Sequence, residues 1–354
     1  MRIRSAKGAG PFIALIALTA AGCARVPAGR INADRMDFGQ VVQDSWKRQA
    51  LLNVVRLRYG DAPMFLDVAS IINSYSLGGS VSGGASFQKA PSSDTFSLGA
   101  AGYWSNTPTV TYQPLMGDRF TRSLLQPVPP AAVFQLMQGG LPPGLVMTTI
   151  VKSINGLRND SLGTAGDPGF RELVEALSRL QSSGALGNRI EARKDGSALI
   201  MIIRREGAAT PPPEDVRRVR ELLGLGEGIS EIEVVYGMAP RNTSEVAMIT
   251  RTMLGLMMEM AFAVELPSAQ AASAVMSPGA GQAGHAQAAL RMRIRSGTAA
   301  PENAYVAVPY QGYWYWIDKT DVTSKGTFTF LMILFSLAET GQASVAPVVT
   351  VPSR

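Results

Sequence analysis

The chain has 354 residues, with 33 Lys and Arg against 27 Asp and Glu, one Cys and one His. Three of the basic residues lie within the first 22 positions, so the rest of the chain carries 30 basic residues against 27 acidic ones and is close to neutral. This charge gives little support for a nucleic-acid partner, and a single Cys excludes a disulfide within the chain.

The N-terminus has the regions of a secretory signal peptide. Arg2, Arg4 and Lys7 supply a positive start, and residues 12–21 form an apolar run that is too short to span a bilayer as a helix. Cys23 follows the small residues at the end of this run. The arrangement predicts a bacterial lipoprotein signal over residues 1–22, with acyl chains such as palmitate carried by Cys23.

The expected lipid would hold the mature chain on a membrane of the cell envelope. Stable anchoring requires more than one acyl chain, which a lipoprotein Cys carries. Ala24, rather than Asp, follows Cys23, a pattern that resembles Gram-negative lipoproteins sent onward to the outer membrane. We therefore expect an outer-membrane location with the body facing the periplasm. The alternative is an ordinary signal peptide that happens to have a Cys beside it.

After a tether over residues 23–35, the patterns predict an α+β fold: a mixed α/β periplasmic body with a long Gly/Ser-rich hairpin near its N-terminus. The predicted helices cover residues 41–59, 131–137, 168–183, 214–223, 242–264 and 327–337. The predicted strands and hairpins cover residues 64–72, 74–106, 108–112, 145–153, 189–205, 231–236, 291–295, 305–317 and 345–351. Two regions result, 36–160 and 161–354, and the second carries a flexible Ala/Gly-rich insertion over residues 266–289.

Two of these helices have capping signals. Asp167 precedes Pro168 and is expected to cap the helix that Pro168 begins. Asn242 and Glu245 have the spacing of a capping box for a long helix through residue 264, in which the methionines are expected to fill the core.

The hairpin over residues 74–106 alternates strictly between apolar and small, mostly polar residues. The only charges between residues 68 and 117 are Lys89 and Asp94, both in the turn at 88–94. A period of two indicates strands with one apolar face. The larger members of that face, which we predict to contact the membrane, are Tyr75, Leu77, Val81, Phe87, Phe96, Leu98 and Trp104.

Two interpretations of this hairpin remain open. It could belong to a soluble sheet, although glycine inside a strand weakens it. Alternatively it crosses the membrane, because its arms have the roughly 9–11 residues that a spanning strand needs and carry aromatic residues near both ends. A lone hairpin would leave its edge amides unpaired in lipid, so crossing would require several copies to close a barrel together.

Residues that would carry catalysis or bind a metal are scarce. The single His285 lies in the Ala/Gly-rich insertion, which excludes a metal site built from several His and Cys and argues against a His-based triad. Asp318 and Asp321, beside Trp314 and Trp316, are the only acids that suggest a sugar site. We therefore expect neither an enzyme nor a cofactor nor a metal.

Three short runs resemble an uncharacterised family of bacterial envelope proteins. They are VRLRYGD at residues 55–61, PTVTY at 108–112 and GYW at 312–314. The resemblance implies no activity and carries over no functional residues. In overall plan alone, a lipidated Cys with an α/β body and a charge-poor hairpin resembles multi-subunit lipoprotein channels such as the curli secretion pore.

The leading expectation is an outer-membrane lipoprotein that assembles with copies of itself, with a pore as one outcome, in an envelope export or assembly system. The alternative is a monomeric, periplasm-facing scaffold or binding module for an unidentified envelope protein. A cell-wall-active enzyme is a weaker third option.

Replacement of Cys23 by Ser tests the anchor. Because Cys23 is the only cysteine, the Cys23→Ser variant should lack lipid and should no longer sediment with membranes. Membrane flotation and labelling with radioactive palmitate measure both properties. Full retention of the unlipidated variant on membranes would contradict a role of the lipid as the sole anchor.

Overall fold

The computed structural model describes residues 28–86, 95–161, 164–193, 196–203, 213–273 and 292–339. The signal peptide, Cys23, Phe87, the hairpin turn at 88–94, His285 and the strand predicted over 345–351 lie outside these residues. The fold is of the α+β class, as the sequence predicts.

The helices among the described residues are α1 (Ala28–Arg58), α2 (Gly117–Phe120), α3 (Pro130–Gln138), α4 (Pro143–Ile150), α5 (Pro168–Ser182), α6 (Pro213–Leu223), α7 (Met253–Ala261) and α8 (Val322–Glu339). The strands are β1 (Leu66–Ser86), β2 (Thr95–Pro114), β3 (Val151–Ile154), β4 (Leu157–Arg158), β5 (Leu186–Arg193), β6 (Gly196–Ile203), β7 (Glu231–Tyr236), β8 (Glu245–Thr250), β9 (Arg295–Gly297), β10 (Ala304–Tyr310) and β11 (Tyr313–Asp318). None of the described helices is both long and apolar enough to cross a membrane.

The chain divides into two compact units, residues 1–47 and 48–354. The described part of the first unit is the N-terminal portion of α1, in which Met36 and Val41 are 73% and 65% exposed. Lys47 and Asp44 form an ion pair of 3.0 Å on this portion. The helix begins at Ala28 and so includes much of the segment expected to be a tether.

A six-stranded sheet forms the centre of the second unit, in the order β4-β3-β8-β7-β6-β5. Its neighbouring strands are antiparallel except for the parallel pair β7 and β8. Helices α3 and α5 pack on the sheet, and α5 also packs on α4 and α6. Since β3 and β4 pair into the same sheet as β5–β8, the boundary expected near residue 160 runs through one sheet rather than between two domains.

A smaller sheet, in the order β10-β11-β9, packs against α8. The predicted aromatic hairpin is therefore present, and Tyr315 at its centre is fully buried. The ring of Tyr305 meets that of Phe328 on α8 edge to face, at 6.4 Å between centroids. The strand predicted over residues 291–295 is displaced, because β9 begins only at Arg295, although Met292 and Ile294 are buried as the alternation predicted.

The strand predicted over residues 145–153 is mostly wrong. Residues 143–150 form α4, and only Val151–Ile154 is extended. Pro143 at the start of the helix has no N–H to leave unpaired, which favours a helix start there. The apolar run is buried as a whole, and a short buried run has no periodicity that separates helix from strand.

The long helix predicted over residues 242–264 is also wrong. Its first part is β8, and α7 begins only at Met253, where the Thr252 hydroxyl accepts from the N–H of Gly255 at 2.9 Å. Strand β8 lies between β3 and β7 in the interior of the sheet, and five of its six residues are buried, so its sequence shows no alternation. The core role of the methionines is confirmed, since Met257 and Met260 are at most 1% exposed.

Two smaller expectations differ as well. Helix α5 begins at Pro168 as predicted, but the Asp167 side chain does not cap it. Its carboxylate instead accepts from the backbone N–H of Arg158 at 2.8 Å and pairs with the Arg158 guanidinium at 3.2 Å. Within the expected flexible insertion, residues 268–273 form a 3-10 helix.

A buried ion pair joins the main sheet to α4 and α7. Arg251 and Glu259 are 5% and 9% exposed, and their side chains are 3.4 Å apart. The Arg251 guanidinium donates to the carbonyls of Thr148 and Thr149, both at 2.9 Å, at the C-terminal end of α4. The Ser161 hydroxyl donates to Glu259 at 2.6 Å. Burial lowers the pKa of Arg251, and the carboxylate of Glu259 opposes that shift.

Replacement of Arg251 by Met is expected to destabilise the fold strongly. It leaves the Glu259 carboxylate and the α4 carbonyls without their cation, which typically costs about 3–5 kcal/mol. Arg189→Met is the matched control, because Arg189 pairs with Glu231 on the surface, where such pairs contribute about 1 kcal/mol or less. Urea unfolding measures both variants, and equal destabilisation would contradict this assignment.

Candidate functional site

The most distinctive feature of the structure is the hairpin of β1 and β2. Its register contains twenty antiparallel pairs, from Leu66 opposite Pro114 to Ser86 opposite Thr95, with one irregularity between Val68 and Ser70. At about 3.3 Å per residue, arms of this length extend roughly 65 Å. The predicted hairpin over 74–106 and the separate strand predicted over 108–112 are therefore one continuous element.

The register confirms that the two alternating patterns belong together. Directly opposed residues of an antiparallel pair lie on the same face. Positions from the predicted apolar series oppose each other: Leu77 with Trp104, Val81 with Ala100, Gly83 with Leu98, and Ala85 with Phe96. The small polar positions also match, as in Ser76 with Ser105 and Ser80 with Ala101. Tyr75 lies opposite Asn106, where the apolar series of β2 ends.

The hairpin is a sheet of two strands only. Within the described ranges, no third strand joins the outer edge of β1 or of β2. Each edge therefore presents a row of backbone N–H and C=O groups that can pair with a further strand. A two-stranded hairpin in water is at best marginally stable, so its length requires support from elsewhere.

Asn53 on α1 provides the first support, at the hairpin base. Its side chain is fully buried and brackets the Met64 peptide: the amide nitrogen donates to the Met64 carbonyl at 2.8 Å, and the amide oxygen accepts from the Met64 N–H at 2.9 Å. One turn earlier on the helix, Gln49 donates to the Leu66 carbonyl at 3.1 Å. Two successive turns of α1 therefore fix the start of β1.

The end of β2 is held at the same place. The N–H of Leu115 donates to the Phe65 carbonyl at 2.9 Å, which closes the base. The ring of Phe65 packs against that of Phe335 on α8, with 5.4 Å between centroids. Arg119 pairs with Asp67 at 3.0 Å. Asp67 is the only charged residue in β1 or β2, and it lies at the base, outside the alternating part.

The same helix end carries a cluster of tyrosines. The Tyr59 hydroxyl bonds with the hydroxyl of Tyr315 and with the side chain of Gln270, and Tyr310 donates to Asp61. Burial raises the pKa of Tyr59, Tyr310 and Tyr315, so these phenols stay protonated near neutral pH. Protonated phenols can donate hydrogen bonds but cannot act as bases. The cluster therefore joins α1 to the aromatic hairpin, and it brings the runs at 55–61 and 312–314 together.

The acids considered for a sugar site have local roles. Asp318 accepts from the Thr320 N–H at 2.9 Å and hydroxyl at 2.7 Å, which lowers the pKa of Asp318. Burial would raise the pKa of Asp321, but the hydroxyl and N–H of Ser324 on α8 donate to it at 2.6 and 3.0 Å, and the net shift is downward. Among the described residues, no group of three His, Cys, Asp or Glu side chains could hold a metal.

Sequence reasoning identified the hairpin but missed its support. Asn53 and Gln49 have no motif around them, and Arg119 is one of many arginines in the chain. Cys23 and Phe87 lie outside the described residues. No protein-family model, curated protein or solved structure matches the chain.

Asn53→Leu tests the support of the hairpin base. The leucine keeps the volume of the side chain but leaves the Met64 N–H and carbonyl unpaired in a buried place, at about 1–3 kcal/mol for each group. We expect a clear loss of stability in urea unfolding. Gln49→Leu is the control, because its single bond is exposed and its loss should cost about 1 kcal/mol or less. Asn53→Leu with wild-type stability would show that the bracket does not hold the base.

Proposed function

We propose that this chain is an outer-membrane lipoprotein whose copies assemble through the β1–β2 hairpin into a membrane-crossing barrel, as part of an envelope export or assembly system. Cys23 supplies the lipid anchor and the α+β body faces the periplasm. The observation that carries the proposal is a long hairpin whose alternating part has no charged residue in either strand, whose apolar positions oppose each other in register, and which no third strand joins among the described residues.

The chemistry of the hairpin fits this environment. A strand in a lipid bilayer must place apolar residues outward and can place small polar residues toward a lumen. The alternating series on β1 and β2 meet this requirement, and their register keeps each series on one face. No charged residue interrupts either series, and the sole charge, Asp67, is neutralised by Arg119 at the base. Burial of an unpaired charge in lipid is thereby avoided.

The length of the hairpin divides it into two parts. A tilted strand crosses the hydrocarbon core with about 9–11 residues, which residues 77–86 and 95–104 provide. The remaining pairs, from Leu66 to Ser76 on β1, would continue the barrel toward the body. In that lower part the described side chains include exposed Thr107, Thr109 and Thr111, as expected for surfaces in contact with water. Since the smallest barrels of this type have about eight strands, roughly four or more copies would be needed.

The open edges also favour a second candidate function. An extended segment of another protein can add to an exposed edge through main-chain hydrogen bonds. In that case the chain would be a monomeric scaffold that captures an envelope partner, and the hairpin would stay in the periplasm. Exposed apolar side chains near the base, such as Tyr112 at 58% and Met116 at 71%, would add contact area for such a partner.

Arginine substitutions on the two faces give the first test. At Val81, an arginine would face lipid and should cost about 2–4 kcal/mol per copy, which would abolish ring assembly. At Ser80, one residue away, an arginine would face the lumen and should leave assembly intact. Negative-stain imaging and mass measurement of the detergent-solubilised protein report assembly. Rings formed by Val81→Arg would contradict the membrane-crossing hairpin.

Cysteine labelling separates the barrel from the scaffold. Cys23 is the only native cysteine and would be acylated, so an introduced cysteine should be the only reactive thiol. Ser80→Cys should react with a water-soluble maleimide in intact membranes, whereas Val81→Cys should react only after detergent is added. Ser92→Cys in the turn should react from outside intact cells. Labelling of Ser92→Cys only after the outer membrane is opened would exclude the barrel and favour the scaffold.

A further inference from the structure

We infer that neighbouring copies join by pairing β2 of one copy with β1 of the next, with a stagger of two residues relative to the register inside each hairpin. The inference rests on the proposed function and specifies the contact surface of that assembly. The partner is a second copy of this chain, because each hairpin has two open edges. The edge of β2 can pair with one neighbouring copy and the edge of β1 with another.

The pairing of β2 with β1 follows from direction. All hairpins must point the same way, since each begins and ends at a body on the same side of the membrane. Strand β1 of one copy is then parallel to β1 of any other copy and antiparallel to β2. Membrane barrels of this kind are antiparallel throughout, so β2 pairs with the neighbour's β1. Repetition of this contact around an axis closes a ring.

The alternation of the faces restricts the stagger to an even number of residues. An odd stagger would bring the apolar positions of one copy level with the small polar positions of the next. Within one hairpin the apolar series of both strands already oppose each other, as in Val81 with Ala100. The same face must continue across the contact between copies, so the stagger is zero, two or four residues.

The tilt of the strands selects among these values. Each hairpin is two strands wide, or about 9.6 Å, and each residue of stagger shifts the next copy by about 3.3 Å along the strand. The ratio of that shift to the width sets the tilt of the strands. Zero stagger gives upright strands. A stagger of two gives a tilt of about 35°, and a stagger of four gives about 54°. Membrane barrels have strands tilted by about 35–45°, which only the stagger of two approaches.

At Ala101, the position used for the test below, the residues brought together by this stagger are small. Within one hairpin Ala101 lies opposite Ser80. Across the contact it would lie opposite Ser82 or Gly78 of the neighbour, according to the direction in which the ring closes. Ala101 and Ser82 are both exposed in the single chain, and none of these positions carries a bulky or charged group. Close approach of the two backbones at this position is therefore unobstructed.

Disulfide formation in native membranes tests the stagger. Directly opposed Cα atoms in an antiparallel pair are about 4.5–5.5 Å apart, within the range for a disulfide, whereas diagonal neighbours are about 7–8 Å apart. Double variants should distinguish the registers, and each contains Ala101→Cys. For a stagger of two, the second substitution is Ser82→Cys or Gly78→Cys. For a stagger of four, it is Gly84→Cys or Ser76→Cys. For zero stagger, Ala101→Cys and Ser80→Cys are placed on separate, differently tagged chains. Ala101→Cys with Ser80→Cys in one chain controls for oxidation.

We expect a ladder of disulfide-linked copies on a non-reducing gel for one of the two double variants with a stagger of two, and for no other. A ladder for a stagger of four, or linked chains for zero stagger, would overturn the inference while leaving the proposed assembly in place. Ladders for both variants with a stagger of two would indicate a slipping register and would also overturn it. If no pair links copies although the control forms its intrachain disulfide, the proposed assembly fails as well.

Discussion

The need of every backbone N–H and C=O group for a partner governs this structure. In the main sheet the requirement is met locally, because helices and sheet neighbours enclose the strands. In the β1–β2 hairpin it is met on one side only. Twenty pairs satisfy the inner edges, and among the described residues no strand covers the outer ones. Water can solvate such edges, but lipid cannot, so the hairpin could enter a membrane only where other strands complete it.

Helix α1 connects this incomplete element to the body. Asn53 brackets the Met64 peptide at the hairpin base, and Tyr59, less than two turns later, reaches Tyr315 in the small sheet. The first contact lies on α1 and the second on the residue that directly follows it. Since α8 packs against both the base, through Phe335, and the small sheet, the base is enclosed by elements that are themselves linked. The hairpin base is therefore attached to the body through both α1 and α8.

Period-two and amphipathic patterns predicted much of the fold. Helix α5 buries one face, which leaves a visible helical period in the sequence, and the strands of the hairpin alternate with a period of two. The errors occur where both faces are buried. Residues 145–150 and 245–250 are mostly apolar and mostly buried, and such runs fit a helix and a strand equally well. Other features decide their structure: Pro142 and Pro143 at the start of α4, and the flanking strands β3 and β7 for β8.

The candidate site likewise has one part that the sequence predicts and one part that it does not. The residues on each face could be predicted from the alternation, but the alternation allows any even shift between the strands, so the opposed pairs come from the structure. The attachment of the hairpin could not be predicted, since Asn53 and Arg119 act through single contacts with residues distant in sequence. The sequence did not predict the buried ion pair of Arg251 and Glu259 either. Long-range polar contacts of this kind have no period and no fixed spacing, so one sequence does not reveal them.

The glycine content of the hairpin is consistent with the proposed assembly. Strands β1 and β2 contain six glycines, all in the alternating part. Each glycine raises the entropic cost of an extended conformation and adds no side chain to pack. A single hairpin gains one ladder of hydrogen bonds against this cost, whereas a hairpin in a closed ring gains two, because the outer edges are also paired. The composition that weakens the hairpin of a single copy is thus compatible with a stable barrel, and it disfavours insertion of isolated copies into the membrane.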